Sequence, residues 1–278
     1  MITADLITHS ICSQTGTQLR SFLLEYPRFI HAELMTHRVF SRNSASSRAI
    51  PITTVMQLVE ADPAMPIHWG ADQPGMQARQ EVEDVEGARE EWLAAMRSAL
   101  FHAERMRKKG LHKQIVNRLL EPFQRIKVLV SSTDMANWYA LRHHPDAQPE
   151  IECLAALMFE AEQSSTPFEL HQGEWHLPFI DRKRNDKGEL LYYSEGELVS
   201  LDSAKRISAS CAAQTSYRKN DTSEEKAGLI FQKLVESLPV HASPFEHQAQ
   251  AFPGRSSNFR NFRQFRKEIA NETVKDAA

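Results

Sequence analysis

Apolar residues recur at helical spacing along much of this chain. From Gly87 to Lys109, Trp92, Met96, Leu100, Ala103 and Met106 are separated by threes and fours, as on one face of an α-helix, and Gly110 follows as a stop. A shorter helix is expected from His112 to Leu120, closing near Pro122, and another from Asp134 to His144. Pro149 is placed to open the next, which carries Ile151, Leu154, Ala155 and Met158 on one face. Two more follow the turn-rich stretch from Gly173 to Leu201, where Asp186-Lys-Gly188 predicts a hairpin. The second begins at Thr222-Ser-Glu-Glu225, a capping-box pattern, and carries Leu229, Ile230, Leu234 and Leu238. The first fifty residues read instead as short strands and turns, with Phe29 to Met35 a strand. Pro51 to Pro74 reads as a proline-containing connection of little period, and the polar tail after Glu268 as a frayed end. Strand and helix do not alternate regularly, which predicts an α+β fold with a mixed or antiparallel sheet and several helices, in one domain over residues 1–278.

Composition narrows the class. The 278 residues are 41% hydrophobic and 25% charged, ordinary for a globular protein with a sizeable core. A net charge of -3 argues against a general nucleic-acid binder. The apolar stretches are too short to span a membrane, and the N-terminus lacks the pattern of a signal peptide, so a cytoplasmic protein is expected. Cys12, Cys153 and Cys211 form neither a metal spacing nor a disulfide framework, and no histidine pairing points to a metal.

The run from Thr36 to Arg48, Thr-His-Arg-Val-Phe-Ser-Arg-Asn-Ser-Ala-Ser-Ser-Arg, departs from this ordinary background. It holds three arginines without an acidic residue, together with five hydroxyl side chains. Guanidinium groups bind oxyanions in a bidentate way and hydroxyls donate to the remaining oxygens, so the run reads as a cradle for a phosphate-bearing ligand. A polar loop tied by its own side-chain-to-backbone bonds is the plainer alternative.

His37, Arg38, Ser41, Asn43, Ser46 and Arg48 also fall on the signature of flavin-dependent thymidylate synthases, which this run resembles. Thr36 stands where that family has its first Arg and Ser44 where it has Glu. Asn117-Arg-Leu-Leu-Glu-Pro122 is similar to a second family segment, with Arg118 matching its nucleotide-binding Arg. Asn137-Trp-Tyr-Ala-Leu-Arg142, followed by Ala147-Gln148-Pro-Glu150-Ile151, is similar to a third. Ser131 and Thr133 replace further family contacts. Two segments that precede the signature in the family come late here, so the order looks circularly permuted. Ala213-Gln-Thr-Ser216-Tyr217 has Gln214 in place of an Arg, and His241-Ala-Ser243-Pro-Phe-Glu-His247 follows it. As plain structure, the latter is a turn into a strand.

The resemblance implies methylation of dUMP, or a related pyrimidine nucleotide, to dTMP. FAD would be the cofactor, with NADPH and methylenetetrahydrofolate as co-substrates, in a homotetramer with shared active sites. By the same resemblance Ser46, Arg48, Arg118 and Arg142 hold the nucleotide. Arg142 is also the catalytic candidate, since a guanidinium beside a pyrimidine carbonyl stabilises negative charge spreading over the ring. His37, Arg38, Asn137, Ser216, His241 and Ser243 are implied to hold FAD. The alternatives are a flavoenzyme acting on another pyrimidine nucleotide or transferring another one-carbon group, and a nucleic-acid-binding protein. The last would use Phe259, Phe262 and Phe265 interleaved with Arg260, Arg263 and Arg266, although that repeat fits better a helix with Phe packed and Arg solvated. The repeat and an insert at about 171–203 have no role in the family pattern.

Overall fold

Two ten-residue strands, β1 (Thr3–Cys12) and β2 (Gln18–Pro27), pair antiparallel and begin a computed structural model that describes residues 1–216 and 220–273. Beyond Pro27 the chain turns helical, as a 3-10 turn at Arg28–Ile30 and then α1 (His31–Met35), where a strand was expected. Ile30 and Leu34 are buried while Ala32, which a strand would have placed on their side, is exposed. The polar run then crosses a turn into β3 (Ser41–Ser44), at the edge of the sheet.

The stretch after Pro51 is not an irregular connection throughout. It opens with α2 (Ile52–Ala61), whose Val55 and Val59 pack with Met96 and Ala103 of α3 (Val85–Lys108). Asp84 caps α3 by accepting from the Gly87 N–H at 2.8 Å. The next expected helix is α4 (Lys113–Val116), continued as a 3-10 helix over Asn117–Phe123 that contains Pro122. Then come β4 (Arg125–Ser132), α5 (Ala136–Arg142), α6 (Pro149–Gln163) and β5 (Phe168–Leu170).

The sheet has the order β3-β4-β2-β1-β5, antiparallel except for the parallel pair β1–β5. Side chains alternate across a strand, so its two faces differ. Phe22, Leu24, Ile126, Val128 and Val130 pack on Ile151, Leu154, Ala155 and Met158 of α6, at about 1.5–3 kcal/mol for each large side chain buried. The opposite face presents Ser10, Ser21 and Ser131 to the C-terminal part of the chain.

That part begins with β6 (Trp175–His176) and the three-stranded meander β7 (Asp181–Arg184), β8 (Leu190–Ser194) and β9 (Glu197–Val199). The expected hairpin is the β7–β8 turn, where Gly188 takes φ 80°. These strands lie in the 171–203 segment, which is tied to the rest of the chain. β6 pairs with β10 (Ala249–Ser256), and Arg182 donates to the His9 carbonyl at 2.6 Å. The two expected helices are α7 (Leu201–Ala213) and α8 (Glu224–Glu236). The α8 cap lies one residue later than expected, at Ser223, because Thr222 turns its hydroxyl to Glu195 at 2.5 Å. Its inward residues are Ala227, Phe231, Leu234 and Val235, whereas Leu229 and Leu238 are exposed.

The Phe/Arg repeat is a strand followed by a 3-10 turn, not a helix. β11 (Phe259–Gln264) puts both Phe259 and Phe262 inward because Asn261, at φ 57°, interrupts the alternation. The arginines at 260 and 263 are exposed, as the packed reading required. No described helix is long and apolar enough to cross a membrane. Tyr217 and the last five residues of the expected frayed end lie outside the described residues.

Candidate active site

α1 ends at Met35, and its carbonyl, together with that of His37, accepts from Arg42 at 2.8 and 3.4 Å. Arg42 is therefore engaged with the backbone it closes. Thr36 donates to the Glu33 carbonyl at 2.6 Å, which completes the cap. This turn drives the His37 ring inward, against Phe40 (centroids 5.7 Å apart) and edge-on to Trp138 of α5 (4.8 Å).

This turn meets the end of α5 at Arg142, the last residue of that helix. Its Nε donates to His37 Nε2 at 3.0 Å, and one Nη donates to the Thr36 hydroxyl at 3.3 Å. A guanidinium only donates, so His37 Nε2 accepts and the imidazole is neutral. Burial, followed by the charges of Arg142 and Arg42, lowers the His37 pKa to about 4. Arg142 keeps further N–H groups beyond these two bonds and is half-buried. Thr36, in the place of a family Arg, adds no second cation here.

Ten residues on, the 44–50 loop is held from outside itself. Ser46 N–H donates to Ser216 Oγ at 2.8 Å, and Asn43 donates to the Ala212 carbonyl at 3.2 Å. Asn117, fully buried, donates to the Ser47 and Ile50 carbonyls at 2.7 and 3.0 Å, and Lys113 to that of Ala49 at 2.9 Å. Asn117 and Lys113 were missed in the sequence. Asn117 stands beside Arg118 in a segment singled out for its Arg, but its burial was its one distinguishing property. The backbone is fixed while the guanidiniums of Arg38 and Arg48 reach solvent, with no side-chain partner among the described residues. Arg118 is exposed as well and pairs with Glu121 at 3.0 Å.

The C-terminal residues fall into two groups. Ser216 joins the cradle through Ser46, and Gln264 reaches Ser41 at 2.9 Å. Gln214, where the family has Arg, is buried and saturated by Ser210 and by both backbone groups of Asp221, so it supports the chain rather than a ligand. His241 and Ser243 are exposed, as is Asn137 of α5, and no hydrogen bond joins any of the three side chains to the cradle among the described residues.

Behind the site runs a buried polar seam. His176 bridges Ser10 (2.7 Å) and Ser21 (2.9 Å), Ser21 meets Ser131 (2.5 Å), and Ser131 meets His247 Nδ1 (2.9 Å). Burial lowers the His247 pKa to about 3 and holds that of His176 well below its ordinary value. Ser131 and Thr133 are spent within the protein, since Thr133 Oγ1 accepts from the Arg260 N–H at 3.0 Å.

A family model described as thymidylate synthase complementing protein matches residues 7–168, more than half of the chain. The match takes in Thr36–Arg48, Arg118 and Arg142 and ends before Ala213–His247. The chain is similar to a UMP/dUMP methylase, PolB, from Streptomyces cacaoi bound with 5-Br dUMP, at 19% identity over 58% of this chain and 90% of that one, with a TM-score of 0.48. It is also similar to the flavin-dependent thymidylate synthase ThyX from Helicobacter pylori complexed with FAD and dUMP, at 18% identity over 52% and 67%, with a TM-score of 0.36. A comparison with curated proteins returned no match.

Proposed function

Since the chain belongs to the thymidylate synthase complementing protein family and is thus a flavin-dependent thymidylate synthase-like methyltransferase, we propose that it methylates dUMP at C5 to give dTMP. Methylenetetrahydrofolate is the carbon donor in this reading. The observation that carries it is the Arg142 guanidinium, aimed by neutral His37 and by Thr36 beside a loop that leaves Arg38 and Arg48 open to an anion.

Arg142 binds the uracil carbonyl edge and stabilises the anion that forms as N3 loses its proton, which makes C5 nucleophilic. A C5–C bond then forms to the one-carbon unit, the C5 proton leaves to solvent, and the bond from that carbon to the folate nitrogen breaks to release tetrahydrofolate. FAD, when bound and reduced by NADPH, supplies the hydride that takes the transferred carbon to a methyl group. Arg48, Ser46 and Arg118 hold the nucleotide phosphate. The residues present fit FAD in part. Arg38 offers an open guanidinium suited to its pyrophosphate, and Ser216 is tied to the same loop through Ser46; Asn137, His241 and Ser243 are assigned to FAD by the family resemblance alone. His37 is enclosed by Phe40, Trp138 and Arg142, and acts by positioning Arg142. The exposure of Asn137, His241 and Ser243 fits a site completed by another copy in a homotetramer, with the C-terminal segment taking the place of the family's N-terminal one by circular permutation.

The deciding assay combines FAD, NADPH, methylenetetrahydrofolate and C5-tritiated dUMP, and follows tritium release and product mass. Release with dTMP is the expected outcome, and flavin bound without release would sink the dUMP reading. Thr36 carries a second reading, because its hydroxyl replaces a family cation at Arg142. A different pyrimidine nucleotide, such as UMP, would then turn over in place of dUMP.

A further inference from the structure

Of the two arginines placed on the nucleotide phosphate, one already holds an anion. Arg118 Nη1 donates to Glu121 Oε1 at 3.0 Å, one turn along the same 3-10 helix, whereas Arg48 has no side-chain partner among the described residues. The site lies beside the cradle, because Asn117, the residue before Arg118, grips the carbonyls of Ser47 and Ile50.

Glu121 does not turn freely with Arg118. The same oxygen pairs with Arg28 at 3.0 Å, and the Arg28 backbone N–H donates to the Gln124 carbonyl at 2.8 Å, which ties its segment to the end of that helix. Side-chain exposure rises along the three, from 16% at Arg28 through 25% at Glu121 to 56% at Arg118. The ladder thus runs outward and ends on the group that meets the ligand. Glu121 is the one carboxylate within ion-pair distance of either arginine among the described residues. Pulling it away would leave the largely buried Arg28 guanidinium unpaired, which holds the carboxylate in place when a ligand draws on Arg118.

The consequence is electrostatic. A guanidinium has five N–H donors, so the pair with Glu121 leaves donors of Arg118 for a phosphate group. That phosphate then lies close to a carboxylate that is held where it is. Each further phosphate brings more negative charge to the same place, with no further cation in the ladder to meet it. Like charges set side by side at a binding surface act by rejecting the wrong partner.

We propose that Glu121, anchored by Arg28, selects nucleoside monophosphates against di- and triphosphates at Arg118, a role that rests on the reading of Arg118 as a phosphate ligand. The pyrimidine end of the nucleotide, at Arg142, is untouched by it.

Calorimetric titration of the purified full chain with dUMP and with dUTP, FAD being present throughout, tests this. Wild type is expected to bind dUMP at least about tenfold more tightly than dUTP, a comparison that needs no variant. Glu121→Gln keeps an oxygen for both guanidiniums and removes the charge, and it should tighten dUTP about tenfold relative to dUMP. Glu121→Asp keeps the charge and should keep the preference. A merely structural role would move both nucleotides together and leave their ratio as it was. Equal binding of the two by wild type, an unchanged ratio in Glu121→Gln, or a ratio lost equally in Glu121→Asp would overturn the proposal. Arg118→Ala separates its failure from that of the reading beneath it. Wild-type dUMP affinity in that variant would remove Arg118 from the phosphate site and Glu121 with it. Weakened dUMP binding there, beside an unchanged ratio in Glu121→Gln, would end the selection alone.

Discussion

The corner at Arg142 and the loop at Arg48 carry the same side-chain chemistry in opposite states. At the corner, the guanidinium is already oriented by His37 and Thr36, and the His37 ring is itself held edge-on to Trp138. In the loop, the backbone is fixed by Ser216, Asn117 and Lys113 while the Arg48 side chain is open to solvent. A group that must stabilise charge developing in a transition state gains from being placed in advance. A group that meets a mobile phosphate needs only a fixed root. The corner is therefore expected to govern turnover and the loop to govern binding.

Arg142→Ala gives the hardest test of that division. Removing a preorganised donor of this kind costs about 10²–10³ in kcat. We expect that loss in tritium release from dUMP, with the melting temperature nearly unchanged because Arg142 is half-buried and ends α5. A loss confined to KM would erase the distinction between corner and loop.

His37→Phe keeps a ring between Phe40 and Trp138 and removes the acceptor for Arg142. The expectation is a fall in kcat of about tenfold with FAD affinity retained. Weakened FAD binding would make His37 a flavin contact, as the family resemblance implied. The same variant reports on pH. A neutral buried imidazole with a pKa near 4 adds stability that is fully present above its unfolded value and lost as pH falls through 4. The wild-type melting temperature should drop from pH 6.5 towards 4, and His37→Phe should drop less steeply.

Arg48→Ala is expected to raise KM for dUMP about tenfold at unchanged kcat, the value of a charge-assisted contact to phosphate. That effect should shrink as salt rises. Phosphate-free deoxyuridine should not distinguish the variant from wild type.

Helices with a strongly periodic apolar face were legible in sequence because one residue type repeats at one spacing. Ile151, Leu154, Ala155 and Met158 of α6 are all buried, as their spacing required. Long-range polar partnerships left no such trace. Nothing local marks Ser21 and Ser131 as neighbours of His176 and His247, because the seam joins positions more than a hundred residues apart. α1 and α2 were missed for a related reason, since five- and ten-residue helices offer too few repeats beside proline. Arg142 was singled out through its motif, yet its contact with His37 was not foreseen, because the two residues, assigned by resemblance to different ligands, bond to each other.

Ser216 offers the mildest test of whether the loop's backbone matters apart from its guanidinium. Its hydroxyl accepts from the Ser46 N–H, and Ser46 Oγ in turn accepts from the Arg48 N–H at 3.3 Å. Ser216→Ala removes one neutral hydrogen bond at a partly exposed position, worth about 0.5–1.5 kcal/mol. The backbone N–H so released can find water, which places the result at the lower end. KM for dUMP should therefore rise a few-fold, while kcat and stability stay near wild type. The double variant with Arg48→Ala should then raise KM by less than the product of the two single effects, because Ser216 acts on the nucleotide through the residue that carries the charge. Independent, multiplying effects would mean that Ser216 touches a ligand of its own.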